Sequence, residues 1–355
     1  MPVRLLERAP RIEPVGAGIQ LSANALRVLD RLGLLPALAP RGVEAGSVIL
    51  RSARNGRVLA TVPVSASDGI GYLAVHRADL QDCLLSAAER EPLIDIELAT
   101  TLERFTATPD GVELAVREAS GELRTETAPI LIGADGVRSA VAAHLGLPAP
   151  TDTGLVAARF VAPNVSGGDR IEAWLGPKRH AVAYPMSGGR SVNIVLIAPG
   201  KDPVLPGFER WDPRLRTHLE KAEPVGSWPL LVTEPGRRLD QSERVCLIGD
   251  AAHAMLPFAA QGAAMAIEDG FVLARHLTGG IAREDVSGAL SRFQSAREAR
   301  LAGVRSRVAF HRFVYHLPFP LSLGRDAAMA MRSPEKLRAD LAWLYDWSPD
   351  EQADN

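Results

Sequence analysis

Three short apolar runs, each ending at an acidic residue, constrain the fold of this chain more than any other feature. The runs are residues 3–7, ending at Glu7, residues 130–135, ending at Asp135, and residues 245–250, ending at Asp250. Small residues and then a helical pattern follow each run. Such runs are typical of strands buried on both faces of a parallel sheet. We therefore predict an α/β domain with a ligand site where these strands end.

A second pattern lies between the second and third runs. Residues 151–232 are rich in proline, glycine and alternating apolar positions, and residues 180–184 and 191–195 flank Ser187, Gly188 and Gly189 like a β-hairpin. Residues 46–71 are also strand-like. We predict a discontinuous first domain (1–45, 72–150 and 240–300), an inserted, mainly antiparallel β domain (46–71 and 151–239) and a C-terminal helical region (301–355).

Helical spacing of apolar residues predicts further elements. Helices are expected at residues 24–35, with Gly33 near the end, at 263–277, and from about 284 to 316. The last of these is rich in arginine. Its arginines are expected to form a solvated face with some internal ion pairs, and a partner surface is the alternative.

Composition limits the partners and the cellular location. The net charge is −2 and no long apolar run is present, so we expect neither nucleic-acid binding nor a membrane span. Cys83 and Cys246 lie among apolar residues, which favours a reducing cytoplasm over a disulfide framework. The spacing of His, Cys and carboxylate residues predicts no metal site.

The third run leads into the most specific stretch of the chain. A buried strand would deliver Asp250 to a loop that enters a helix at Gly262. The free N–H groups at a helix start suit an anion, such as the charged end of a reduced flavin ring. Asp250 could accept hydrogen bonds from ribityl hydroxyls. The alternative is an ordinary strand–loop–helix unit with a capping aspartate.

Four segments together resemble one enzyme family. GDAAHAMLPFAAQGAAMAIEDG at residues 249–270 is similar to the flavin-contacting signature of the para-hydroxybenzoate hydroxylase superfamily of FAD-dependent monooxygenases. LIGADGVRS at 131–139 resembles its "DG" fingerprint, and HRADL at 76–80 resembles a segment whose arginine lies near FAD. Residues 3–7, followed by 16–19 and 24–25, resemble its second Rossmann strand and following loop. The segments occur in the family's order, from residue 3 to about 300.

This resemblance implies a Rossmann-like FAD-binding domain with an inserted antiparallel substrate domain and C-terminal helices. It also implies ten cofactor-binding residues: Glu7, Arg8, Gly18, Arg77, Asp135, Gly249, Asp250, Pro257, Gly262 and Ala263. Glu7 would bind the adenosine ribose, Arg77 the pyrophosphate or ribose, and Gly262 and Ala263 the flavin pyrimidine edge. Each residue also has a plain structural alternative, such as a strand-end charge, a helix-start charge or a turn former.

Residues for the substrate side follow from strand periodicity. His180 and Tyr184 are four apart on a predicted strand and therefore face the same side. A neutral histidine can take a phenolic proton, which makes the ring electron-rich enough for hydroxylation. The subgroup of salicylate, 3-hydroxybenzoate and 6-hydroxynicotinate hydroxylases has a similar His and Tyr, and a Gln matching Gln261. His180 is the predicted base, and Tyr184 and Gln261 would orient substrate or peroxide. His253 is expected to pack and cap its loop.

The function implied by the resemblance is aromatic hydroxylation. NAD(P)H would reduce FAD, O₂ would form a flavin C4a-hydroperoxide, and a phenolic or heteroaromatic acid would receive the oxygen atom. The family also suggests a monomer or homodimer. Two alternatives stay open from the sequence. One is a non-catalytic remnant or small-molecule binding protein, and the other is a flavin oxidoreductase that inserts no oxygen.

The chain departs from the family at its start. Glu7 is the seventh residue, and no GxGxxG loop precedes it, although a Rossmann domain places this loop about 20 residues before its ribose-binding acid. We expect either a start assigned at an internal methionine or a genuine truncation of the first strand and helix. On this basis the chain as written is predicted to bind FAD poorly.

Overall fold

A computed structural model describes residues 1–13, 16–164, 168–200, 207–277 and 285–349 of the protein. The strands are β1 Val3–Leu6, β2 Gly18–Leu21, β3 Val43–Glu44, β4 Ser47–Ser52, β5 Val58–Pro63, β6 Leu73–His76, β7 Ile94–Glu97, β8 Thr101–Thr108, β9 Gly111–Arg117, β10 Leu123–Ala128, β11 Leu131–Gly133, β12 Thr151–Pro163, β13 Ile171–Gly176, β14 Arg179–Met186, β15 Ser191–Pro199, β16 Glu223–Val232, β17 Asp240–Ser242 and β18 Val245–Leu247. The α-helices are α1 Ala23–Arg31, α2 Leu35–Leu38, α3 Arg77–Arg90, α4 Ala140–His144, α5 Pro213–Glu220, α6 Asp250–His253, α7 Gly262–Leu277, α8 Val286–Tyr315, α9 Leu321–Ala330, α10 Pro334–Ala339 and α11 Ala342–Tyr345. Short 3₁₀ turns cover Ala39–Arg41 and Pro257–Ala259.

One large sheet dominates the molecule. Its seven strands run in the order β16-β12-β15-β14-β13-β4-β5, and every neighbouring pair is antiparallel except β13 with β4. The predicted hairpin is confirmed as β14 and β15, whose strands meet at Met186 and Ser191. Gly188 and Gly189 have φ angles of 63° and 82° and so form the turn at little conformational cost. The strand-like segment at residues 46–71 supplies β4 and β5 to this sheet.

The predicted apolar runs form strands in the α/β part of the molecule. β11 pairs with β18 in parallel, and β1 pairs with β7 in parallel. Burial of the first run differs from the prediction, since Val3 and Leu5 are each 45% exposed. Among the described residues, β7 is the hydrogen-bonded neighbour of β1, so one strand edge and much of its surface stay open. The last run is buried as predicted, with Val245, Cys246 and Leu247 fully inaccessible.

The first predicted helix is divided at a glycine. α1 ends at Arg31, and the chain turns at Gly33, which has a φ angle of 70°. The Leu34 N–H donates to the Leu29 carbonyl across this turn, an arrangement typical of a left-handed helix end. Residues from Leu35 onward therefore form a separate helix, α2. The predicted helix at 263–277 is α7, and α8 covers most of the arginine-rich segment, whose expected start near 284 lies outside the described residues.

The two faces of the large sheet pack against different layers. Ala181 and Ala183 belong to a cluster shared with α5, whereas Tyr184 belongs to the main core and Val182 packs against it. Side chains alternate between the faces of a strand, so His180 lies on the same side as Val182 and Tyr184. That side faces α8, and the helices α9 and α10 pack against β5. This arrangement encloses a space between the sheet and the C-terminal helices.

The mixed α/β architecture, the large antiparallel sheet and the C-terminal helices agree with the predicted fold class. In the described part of the chain, no helix is long and apolar enough to cross a membrane.

Candidate active site

A cavity of about 330 Å³ lies between the large sheet and the C-terminal helices. Its apolar wall includes Val48, Leu50 and Val62 from the sheet and Val314 and Met329 from the helices. A volume and an apolar lining of this kind are usual for a small-molecule site with a few polar groups that orient the ligand. Polar side chains at the wall include Gln20, Tyr72, His180, Arg307 and His311.

His180 is the buried histidine of this wall, with 1% of its surface accessible. Its Nδ1 lies 2.9 Å from Nε2 of His316, and its ring centroid lies 4.7 Å from that of Phe258. Burial, together with repulsion from His316, holds the pKa of His180 well below its ordinary range. The ring is therefore neutral near pH 7 and able to accept a proton. Because Nδ1 contacts His316, Nε2 is the nitrogen left to act on a ligand.

Tyr184 lies on the same strand face, and the side chain of Gln20 connects it to the cavity wall. Gln20 donates a hydrogen bond to Tyr184, and Gln20 Oε1 accepts one from Tyr72 Oη at 3.1 Å. Burial raises the pKa of Tyr184 despite the nearby Arg159 and the bond from Gln20. Both tyrosines therefore stay protonated, and Gln20 joins them at the edge of the cavity. The predicted role of Tyr184 in orienting substrate stays a prediction.

Gly18 on β2 is packed against this tyrosine. A Cβ atom at this position would lie 2.5 Å from a ring carbon of Tyr184, so a larger residue would displace the ring. The Gly18 N–H donates to Oδ1 of Asn193 at 3.0 Å. Gly18 thus has a clear structural role, and its contact with a cofactor stays a prediction.

Gln261, the third predicted catalytic residue, lies outside the cavity wall. It is 1% exposed, its Nε2 donates to Ser22 Oγ at 2.9 Å, and its Oε1 accepts from Asn24 Nδ2 at 3.2 Å. These bonds connect the residue before α7 with the start of α1. The structure therefore places Gln261 in a network between two helix starts, and Gln261 is not among the residues that line the cavity. Its proposed contact with substrate or peroxide stays untested.

A buried ionic network fixes the loop and helix that follow β18. Arg297 donates from Nη1 to Glu268 at 2.6 Å and from Nε to Asp269 at 2.8 Å, and all three side chains are inaccessible. His253 Nε2 lies 2.5 Å from Asp269 Oδ2. Burial disfavours ionisation of Asp269, but His253, Arg297 and the Gly249 N–H outweigh it and lower the pKa of the carboxyl.

This network bears on two expectations from the sequence. His253 packs and anchors its loop, as expected, since it is 2% exposed and bonded to Asp269. The expectation for α8 is a solvated arginine face with some internal ion pairs. Arg292 is exposed and pairs with Asp285, whereas Arg297 is fully buried and forms internal ion pairs with Glu268 and Asp269. Helical spacing places Arg297 on the buried face of α8 with Phe293 and Leu301, but it does not identify the acidic partners, which come from α7.

Gly249 is held in place by the same network. Its φ angle is 58°, in the left-handed region, and its N–H donates to Asp269 Oδ2 at 3.0 Å. A Cβ atom there would lie 3.3 Å from Ala266 on α7. A glycine is therefore required for the turn that leads from β18 into α6. Because the N–H is already bonded, direct cofactor contact by Gly249 stays a prediction.

The charged residues predicted to contact a cofactor lie at element ends. Glu7 follows β1 and accepts a hydrogen bond from the Ala9 N–H at 2.8 Å. Arg8 is exposed, and so is Arg77, the first residue of α3. Pro257 is exposed at the start of a 3₁₀ turn and also borders the cavity. These positions leave the side chains accessible to a ligand.

Asp135 has a local structural role. Its carboxylate accepts from Ser139 Oγ at 2.5 Å and from the Val141 N–H at 3.1 Å, and Ser139 in turn accepts from the Ala142 N–H. These bonds satisfy amides at the start of α4. The structure thus gives Asp135 the turn-forming role that was the alternative, and its influence on a cofactor stays a prediction.

The residues around α6 and α7 fit an FAD molecule. Within the described residues, the exposed carboxylate of Asp250 has no hydrogen-bond partner. The N–H groups of Gly262 and Ala263 likewise donate to no acceptor in the described part of the chain. No other atom lies within 4 Å of a Cβ built at Gly262, so the helix start is open. A carboxylate beside open helix-start amides suits ribityl hydroxyls and the negative end of a reduced flavin.

The residues that the C-terminal helices bring to the cavity could not be identified from the motifs of the sequence. Arg307, His311 and Tyr315 are spaced by four on α8 and all reach the cavity wall, with His316 directly after them. His311 Nδ1 lies 3.1 Å from the Phe258 carbonyl, and burial lowers its pKa to about 4. The spacing of polar and aromatic residues along one helix face was the available signal.

Comparison with known proteins identifies the family. The family model described as "FAD binding domain" matches residues 1–308. The chain is 36% identical to 3-amino-4-hydroxybenzoate 2-monooxygenase of Streptomyces cremeus, over 96% of this chain and 88% of that enzyme. It is 31% identical to 3-hydroxybenzoate 6-hydroxylase of Klebsiella oxytoca, over 98% of this chain and 91% of that enzyme.

A solved structure supports the fold. The substrate complex of a salicylate hydroxylase superposes with a TM-score of 0.81 at 21% identity, covering 99% of this chain and 97% of that one. The predicted resemblance and the predicted FAD cofactor are confirmed by these comparisons, and neither alternative function finds support in them. The chain therefore belongs to the FAD-binding-domain family, together with FAD-dependent aromatic monooxygenases.

Proposed function

We propose that the protein hydroxylates the ring of a phenolic or heteroaromatic acid in the cavity beside His180, using FAD, NAD(P)H and O₂. The observation that carries this proposal is a buried, neutral histidine in the wall of an apolar cavity that borders the Pro257 loop. The two related enzymes named above act, by their names, on hydroxylated benzoates. FAD, when bound, supplies the redox chemistry that activates oxygen.

His180 would serve as the general base. Its Nε2 accepts the proton of the ring hydroxyl, and the resulting phenolate is far more electron-rich than the phenol. The low pKa of His180 keeps the ring unprotonated before substrate binds. The apolar wall excludes water from the phenolate, so Nε2 of His180 accepts its proton from the substrate and not from solvent.

Arg307 would hold the carboxylate of the substrate. Its Nη2 donates to the Asp340 carbonyl at 2.6 Å, a backbone bond that anchors the guanidinium without neutralising its charge. The other arginines of the wall are paired with acids, Arg325 with Asp326 and Arg332 with Asp340. Arg307 is therefore the lining arginine best able to form a charge-assisted pair with a carboxylate.

Residues of this chain would also hold the cofactor. Asp250 would bind the ribityl chain, and the amides of Gly262 and Ala263 would face the flavin pyrimidine edge. Glu7, Arg8 and Arg77 would bind the adenosine and pyrophosphate part. We also propose a cytoplasmic monomer or homodimer without nucleic-acid partners, in keeping with two buried free cysteines and a net charge of −2.

A product screen tests this function. Because the sequence predicts weak FAD binding, the protein is kept in excess FAD and incubated with NADH or NADPH and a panel of hydroxybenzoates, aminohydroxybenzoates and hydroxynicotinates, and products are identified by mass spectrometry. We expect at least one acid to be hydroxylated, and its uncharged amide to react poorly. Oxidation of NAD(P)H without a hydroxylated product for every acid would contradict the proposal. Substrate oxidation under anaerobic conditions with an artificial acceptor would instead indicate an oxidoreductase without oxygen insertion.

A further inference from the structure

The two histidines His180 and His316 form a direct contact that the proposed hydroxylation does not by itself explain. Nδ1 of His180 lies 2.9 Å from Nε2 of His316, a normal hydrogen-bond length between ring nitrogens. His180 comes from β14 in the large sheet, and His316 follows the last residue of α8. One nitrogen must carry a hydrogen and the other must accept it.

The two rings differ in their access to solvent. His180 is 1% exposed, whereas His316 is only partly buried. The backbone carbonyl of His316 accepts from the Lys178 N–H at 3.2 Å, which fixes this residue against the turn that precedes β14. Phe258 packs against both rings, with centroid distances of 4.7 Å to His180 and 5.1 Å to His316. The contact therefore connects the enclosed cavity wall with a more open position.

The chemistry of the pair is matched for proton transfer. Burial lowers the pKa of both rings, that of His316 to about 4, with repulsion from the exposed Arg312 contributing to the latter. Neither ring therefore binds a proton strongly enough to prevent its transfer onward. Besides His316, the aromatic rings packed against His180 are those of Phe258 and Tyr315, and burial raises the pKa of Tyr315, so neither ring competes for the proton.

We propose that His316 is a relay residue, which accepts through His180 the proton that the substrate hydroxyl loses and releases it to solvent. This inference rests on the proposed function. The substrate O–H bond breaks and an N–H bond forms at Nε2 of His180. The Nδ1–H of His180 is then transferred to Nε2 of His316, and the Nδ1–H of His316 is released to water. The electron pair of the O–H bond stays on the phenolate oxygen, and the reverse transfer resets both rings when product leaves as a phenol.

His316 acts through His180, so it is a positioning residue and its test requires more than a loss of activity. Two variants separate its possible roles. His316→Gln keeps a side chain that can hydrogen-bond to His180 but cannot pass a proton onward. His316→Ala removes the side chain and leaves space for an added imidazole molecule. His276→Gln, at a half-buried histidine in the last turn of α7 that does not line the cavity, is the matched control.

Two signals are recorded by stopped flow when a hydroxylated acid binds the FAD-loaded enzyme: the phenolate absorbance of the substrate and the proton release reported by a pH indicator. We expect proton release in both His316 variants to slow by about 100-fold, the low end of the range for positioned acid–base groups. The apparent affinity for substrate should change little. Added imidazole should restore the rate in His316→Ala, and His276→Gln should behave like the wild type.

The proposal is overturned if His316→Gln releases protons at the wild-type rate, because orientation of His180 would then suffice. It is also overturned if imidazole restores nothing in His316→Ala. A wild-type enzyme that forms neither phenolate nor hydroxylated product with any acid would refute the proposed function itself, and the relay with it.

Discussion

At the scale of single residues, the candidate site combines one buried base with one partly paired cation. His180 is uncharged because it is buried, whereas the described hydrogen bond of the Arg307 guanidinium goes to a backbone carbonyl and not to a carboxylate. Since both line the same cavity, a ligand with a ring hydroxyl and a carboxylate could engage both residues. Neutral aromatic compounds would engage only His180.

Replacing Arg307 tests this assignment. Arg307→Met removes a charge-assisted hydrogen bond worth about 1.5–3 kcal/mol, so KM for an aromatic acid should rise roughly 10- to 100-fold with a smaller change in kcat. KM for the matching amide should change little. KM of Arg307→Lys for the acid should lie between the values for the wild type and Arg307→Met. Steady-state kinetics with the acid and amide check this. An equal loss for acid and amide would assign Arg307 a role in packing instead.

The sequence predicted some of these residues and missed others for a physical reason. His180 and Tyr184 could be placed on one strand face because strand side chains alternate. His316 could not be associated with His180, since 136 residues separate them and helix periodicity does not specify which strand a helix contacts. Gln261 was predicted from a motif, but motifs do not reveal that Ser22 and Asn24 already occupy its amide group.

At the scale of elements, α7 and α8 are joined by buried charges. Arg297 contacts both Glu268 and Asp269, and Arg300 adds a second bond to Glu268 at 2.8 Å. Asp269 also receives the Gly249 N–H and His253. The network therefore fixes the turn before α6, where Asp250 emerges, relative to α7. Its integrity bears on both stability and the shape of the FAD site.

Removing the central cation should be costly. Arg297→Met removes the fully buried cation that two buried carboxylates share, and the free energy of unfolding should fall by about 3–5 kcal/mol. Arg292→Met, on the exposed side of the same helix, removes a surface pair with Asp285 and should cost less than about 1 kcal/mol. Urea unfolding followed by circular dichroism gives both values. Similar values for the two variants would mean that the α7–α8 charges are not coupled as the contacts indicate.

Element prediction succeeded where local chemistry decides the structure. The β14–β15 hairpin follows from two glycines between alternating strands, and α7 follows from apolar spacing. The break after α1 depends on Gly33. The sequence predicts this glycine near a helix end but does not determine at which residue the helix ends. The exposure of β1 depends on which strands flank it, and a short apolar run does not encode that information.

At the scale of the whole molecule, three separate parts of the chain contribute side chains in and around one cavity. The large sheet supplies His180, the loop between β18 and α7 supplies Pro257 and Phe258, and the C-terminal helices supply Arg307 and His316. The overall fold class could be predicted because each apolar run and hairpin carries its own signal. The closure of the cavity by α8 to α10 could not, because it depends on long-range packing against β5.

The central claim is that an aromatic acid in this cavity receives an oxygen atom from O₂. The most direct measurement supplies FAD-loaded protein with NAD(P)H, a hydroxylated aromatic acid and isotopically labelled molecular oxygen, and determines the mass of the product. The account predicts one labelled oxygen atom on the product ring, with NAD(P)H consumed in equal amount. Label found only in hydrogen peroxide, with the aromatic acid unchanged across the panel, would contradict it.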